Sequence, residues 1–176
     1  MNSLDLVDIK EIAARNISLF FSEMIGLEAE IVDPQQSEIL DGPQIVSQII
    51  LSGVCRGDIL VTSDIALATK IAAMAMACEP EDLSVNDIMD VIGEMNNMVV
   101  GNLRSVMSNI GIDCKLCTPS VWRTESRSSI DDVNNFDSVI YKIDGLPIVT
   151  LMKMEPEDDM EISGEMEGDV KSEDTF

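Results

Sequence analysis

The chain has 176 residues, 45% of them hydrophobic, enough for one domain with a real core. Its 33 acids against 11 Lys and Arg leave a formal charge of −22, which argues against binding nucleic acid or an anionic membrane, since both demand positive patches. The absence of histidine removes the usual general base and every Ser/His or Cys/His nucleophile pair, and leaves Cys114-Lys-Leu-Cys117 without the ligands of a zinc site.

The predicted elements start with an amphipathic helix over about Asp5 to Ile25, in which Leu6, Ile9, Ile12, Ala13, Ile17, Phe20, Phe21 and Met24 fall near helical spacing and Gly26 closes the run. Leu27 to Val32 reads as a short strand, followed by a polar connection from Pro34 to about Pro43. Gln44 to Val54 and Asp58 to Thr62 read as two strands joined around Arg56-Gly57, a hairpin of an antiparallel sheet. Ser63-Asp64 then caps a second helix through about Ala77, with Ile65, Leu67, Ala68, Ile71, Ala72 and Met74 as its apolar surface.

Ser84 to Ile110 is the central helix. Ser84 caps it, Asp87 three residues on supplies a capping-box-like reciprocal contact, and Gly111 ends it. Ile88, Val91, Ile92, Met95, Met98, Val99, Leu103, Val106, Met107 and Ile110 build the face expected to be buried. Asp90, Glu94, Asn97, Gly101, Arg104 and Ser108 step by four, three, four, three and four, and so form a polar stripe on the other side. Glu94 and Asn97 are one turn apart, which lets both side chains reach a single small site; Gly93 and Gly101 border them and suggest a surface cleared for close approach. An ordinary solvated helix face presents the same residue types, and the stripe by itself leaves both readings open.

Beyond Gly111, Cys114 to Pro119 and Val121-Trp122 suggest a strand interrupted or edged by proline. Arg123 to Asp137 is polar and rich in turn residues, a long surface loop. Ser138 to Ile143 and Leu146 to Met154 form a terminal hairpin about Asp144-Gly145. The domain is therefore expected over 1–154, and the acidic 155–176 reads as a tail that buries too little apolar surface to order itself. Cys55, Cys78, Cys114 and Cys117 lack the spacing of a disulfide scaffold and read as reduced thiols. No run reaches the roughly 20 apolar residues of a membrane span, and no basic-then-apolar leader opens the chain, so a cytoplasmic location is expected.

The run from Asp90 through Gly93-Glu94, Asn96-Asn97 and Gly101-Asn102, followed after Cys117-Thr118 by Pro119, resembles the signature of the CheC/CheX/FliY phosphatases of bacterial chemotaxis. That signature sets Asp or Ser, then Glu, then Asn on one helix, with a proline in a following strand; here the proline comes one residue early. The resemblance covers most of residues 9–154. With only Glu94/Asn97 matching, rather than two Glu/Asn sites in repeated halves, the chain looks CheX-like.

The resemblance implies an α/β (α+β) layered fold, long helices packed on an antiparallel sheet, and a homodimer. It implies hydrolysis of the phosphoaspartate of a CheY-like response regulator, with Glu94 and Asn97 catalytic and Asp90, Gly93, Gly101 and Arg104 against the partner. Asn97 is suited to orienting a water, and Glu94 to a charge-assisted contact with a lysine beside the phosphorylation site. Pro119 shapes the strand end beside the helix, and Asn102 is expected as a buried asparagine bonded to backbone. No cofactor is expected on this chain; Mg²⁺ is expected on the regulator. The alternative from another class is a non-catalytic module that captures a response regulator or other signalling protein, and a third is a structural part of the flagellar switch, as in FliY-like chains.

Overall fold

The computed structural model describes residues 15–32, 42–109, 111–126 and 136–156. The expected start of the first helix, the 33–41 connection, Ile110, the middle of the 123–137 loop and residues 157–176 lie outside them.

Among the described residues seven antiparallel strands form one sheet: β1 (Ala29–Val32), β2 (Gln44–Gly53), β3 (Cys55–Asp64), β4 (Cys114–Leu116), β5 (Ser120–Thr124), β6 (Asp137–Ile143) and β7 (Leu146–Pro156). Their order is β1-β6-β7-β3-β2-β4, and β5 also pairs with β2. β4 faces Leu51 to Gly53 and β5 faces Gln44 to Gln48, so the two lie end to end along one edge of β2. Pro119 stands in the break between them, as expected of a residue with no N–H to give a ladder. β7 pairs with β3 from Ser63 to Cys55 and runs to Pro156, two residues past the expected end. The β6–β7 hairpin turns at Asp144-Gly145, both with positive φ (51° and 80°), as the Asp-Gly pair requires.

The β2–β3 hairpin turns earlier than Arg56-Gly57. Leu51 pairs with Gly57, and the reversal is at Gly53-Val54, while Arg56 and Gly57 belong to β3. Gly57 is needed there because β7 passes so close that a Cβ would sit 2.2 Å from the Lys153 carbonyl oxygen.

Among the described residues three helices cover one face of the sheet. Residues 15–25 form α1, whose last turn, Phe21–Ile25, is a π-helix closed by Gly26. α2 spans Ile65–Met76 and starts where the Asp64 carboxylate accepts a 2.6 Å hydrogen bond from the Leu67 N–H. α3 spans Val85–Asn109. Strand alternation turns Ile45, Ser47, Ile49 and Leu51 toward the helices. Phe21, Leu67, Ile71 and Ile92 pack with Ile45 in one cluster under α1 and α2; Leu103 and Met107 pack with Ile49 and Leu51 in another under the end of α3. Val46, Leu60, Val149 and Leu151, one residue out of phase, are buried on the sheet's second face. The expected layered fold is therefore present. Among the described residues no helix is long and apolar enough to cross a membrane.

Candidate functional site

The site is built on α3, and its position follows from how that helix is tied down. At its start Asp87 accepts from the Ser84 backbone N–H (2.8 Å) and hydroxyl (2.6 Å), while the Asp87 N–H donates to Ser84 Oγ (3.2 Å). These hydrogen bonds hold the exposed Asp87 carboxyl below its ordinary acidity range. At mid-helix the fully buried Asn96 donates from Nδ2 to the Ser47 carbonyl (2.9 Å) and to the Ser47 hydroxyl (3.1 Å). Toward the end Arg104 donates from Nε to the Cys114 carbonyl in β4 at 2.8 Å.

Burial sorts the stripe. Asp90, Glu94, Asn97 and Arg104 are exposed, and among the described residues Glu94 and Asn97 have no side-chain hydrogen bond or ion pair. At about 100° per residue Asn97 stands roughly 60° round the helix from Glu94, on the side of β5 and β4, and Met98 roughly 40° round on the other. The Glu and Asn groups therefore project together into solvent from a helix fixed at three places. Gly101 sits on the same crest, where a Cβ would meet nothing within 4 Å.

Several residues stand elsewhere than the sequence pattern places them. Gly93 is buried: its missing Cβ would stand 3.0 Å from Val121 Cγ2, so it lets α3 approach β5 and does not clear the outer surface. Arg104 is engaged by the chain's own β4 through Nε. Asn102 is exposed, and the buried asparagine bonded to backbone is Asn96. Met98, expected in the core, is 45% exposed. These shifts share one cause: the face that α3 presses on β2 and β5 is turned round the helix from the one its apolar residues mark, taking in Gly93 and Asn96 and leaving Met98 and Asn102 outside.

A groove of about 470 Å³ runs beside the crest, with Phe20 of α1, Met76 of α2 and Met98 of α3 on its walls and Glu94 on its margin. Nothing in the sequence signals this meeting of the α1 and α2 ends with α3, since it depends on the packing of three separate segments. Among the described residues no group of three His, Cys, Asp or Glu side chains is gathered as a metal site.

The sequence profile of the family described as chemotaxis phosphatase CheX matches residues 45–144. Among solved structures, the chemotaxis protein CheX of Vibrio vulnificus superposes with a TM-score of 0.70 at 17% identity, over 88% of this chain and 100% of that one. CheX of Desulfovibrio desulfuricans gives 0.67 at 20% identity, over 84% and 99%. The CheX–CheY–BeF3–Mg²⁺ complex of Borrelia burgdorferi gives 0.65 at 18% identity, over 87% and 99%. No curated protein gives a significant match. With the family profile spanning more than half of its residues, including all of α3, the chain belongs to the family of the chemotaxis phosphatase CheX.

Proposed function

We propose that this chain hydrolyses the phosphoaspartate of a CheY-like response regulator and so ends a motility signal. The observation that carries the reading is the pair Glu94 and Asn97: exposed, one turn apart and without partners among the described residues, on a helix held by its cap, by Asn96 and by Arg104. Membership of the CheX family and the CheX–CheY complex of the Borrelia relative support it.

An acyl phosphate is already activated, so the chemistry needs a water held in line with the leaving carboxylate oxygen and stabilisation of the charge that develops. The Asn97 amide both donates and accepts, and it orients that water without changing protonation state. The Glu94 carboxylate meets a cation beside the regulator's phosphorylation site and sets the register in which Asn97 enters. The P–O bond breaks, releasing phosphate and restoring the regulator's carboxylate. Mg²⁺ belongs to the regulator in this reading, and the protein works in the cytoplasm as a homodimer.

The test is the decay of phosphorylated CheY from the same organism, with Mg²⁺ present, alone, with this protein and with its Asn97→Ala variant. Faster decay with the parent protein only is the expected result. Equal decay in all three would end the proposal, and tight binding without acceleration would favour the capture module instead.

A further inference from the structure

We infer that the groove beside Glu94 is a second contact surface for the same regulator, taking an apolar side chain of the partner flanked by at least one cation; this rests on the function proposed above. The groove is formed where α1, the end of α2 and the first half of α3 meet, and its apolar walls include Phe20, Met76, Val91 and Met98. Met76 and Met98 are 50% and 45% exposed, large thioether side chains left in solvent although the fold has room to bury others of their kind, such as Met95 and Met107. Leu19 of α1, 51% exposed, extends the apolar surface at the neighbouring hollow, which Phe20 and Met98 also line. Unbranched methionines adapt to a partner's shape and suit a contact surface.

Two observations select the occupant. Among the described residues the charged side chains of the groove are Asp87, Asp90 and Glu94, all acidic. The same groove of a second copy would bring acid against acid at this place, whereas a partner face with a lysine or arginine next to an apolar side chain complements both features. Glu94 is also shared between the groove margin and the catalytic crest, and Met98 follows it by one turn, so a regulator whose phosphorylation site is presented to Glu94 and Asn97 already lies over the groove. The crest then carries the chemistry, and the groove adds affinity and orientation.

The experiment measures binding of CheY from the same organism to the full chain by calorimetry, together with its dephosphorylation as a function of CheY concentration. Met76→Lys and Met98→Lys are compared with Met76→Leu and Met98→Leu, with thermal melts to verify folding. The expected result is a tenfold or greater loss of affinity, and a matching rise in half-saturating CheY, for each lysine variant, with the leucine variants within about twofold of the parent. Lysine variants that bind as tightly as the parent overturn the groove assignment, whatever the hydrolysis data show. Unaccelerated decay with the parent, alongside binding that the lysine variants lose, overturns the phosphatase reading and leaves the groove standing. If the parent does not bind CheY at all, both fall.

Discussion

Asn96 reaches from the inner face of α3 to Ser47 in β2, with Nδ2 2.9 Å from the Ser47 carbonyl oxygen and 3.1 Å from its hydroxyl, one residue before Asn97 turns outward into solvent. A buried polar anchor and an exposed polar group thus stand next to each other on one helical turn, about 100° apart round its axis. The anchor fixes both the rotation of α3 and its height above the sheet, and the direction of Asn97 follows from both.

Replacing Asn96 tests that anchor. Asn96→Ala removes two buried hydrogen bonds and leaves the Ser47 groups without them, an expected loss of about 1–3 kcal/mol in urea unfolding. A variant as stable as the parent would show that the contact does not hold the helix.

Asn97 and Glu94 are expected to behave oppositely to Asn96. Both are exposed and without partners among the described residues, so Asn97→Ala and Glu94→Lys should change stability by no more than about 0.5 kcal/mol. Asn97→Ala should slow catalysed decay of phosphorylated CheY by about 100-fold while binding persists. Glu94→Lys should weaken binding at least tenfold, checked by calorimetry.

The helix cap carries a pH signature. Hydrogen bonds from Ser84 lower the acidity range of Asp87 in the folded state, so its stabilising contribution is full above the unfolded value of about 3.9 and is lost as pH falls through the lower folded value. Thermal melts of the parent and Asp87→Asn are expected to differ at neutral pH and to converge in acid below about pH 4. A gap independent of pH would refute the capping role.

Two helical glycines should respond with opposite sign. Gly101→Ala meets nothing within 4 Å and should stabilise by about 0.5–1 kcal/mol through helix propensity. Gly93→Val drives a branched side chain into Val121, whose Cγ2 would already be 3.0 Å from a Cβ, and should destabilise by about 1–3 kcal/mol. Denaturant titration reads both.

The thiols should divide by position. Burial pushes the Cys55 and Cys114 thiols up from their ordinary values, and both lie in the core under α3. A thiol reagent at pH 8 is expected to modify the exposed Cys117 first and to reach Cys55 and Cys114 only after denaturant is added. Mass spectrometry of the modified peptides reads the order.

The central helix was legible in the sequence because its cap, its three-and-four apolar spacing and its closing glycine all agree, and the Asp144-Gly145 hairpin was legible because that turn requires both residue types. The β2–β3 turn was misplaced because glycine marks both a reversal and a close backbone approach, and only the passage of β7 over Gly57 separates the two.

The sequence by itself determined the helices, the hairpins and a Glu/Asn pair on the polar stripe of one long helix, because periodicity and capping are properties of neighbouring residues, while the layered α+β arrangement came from the resemblance to the CheC/CheX/FliY family. Only the tertiary structure decided which residues of that helix are in use inside the molecule. Gly93 belongs to β5, Asn96 to β2 and Arg104 to β4, while Met98 is left in solvent beside Glu94. Those assignments depend on the rotation of α3 against strands distant in the chain, a rotation set by contacts that no local pattern contains.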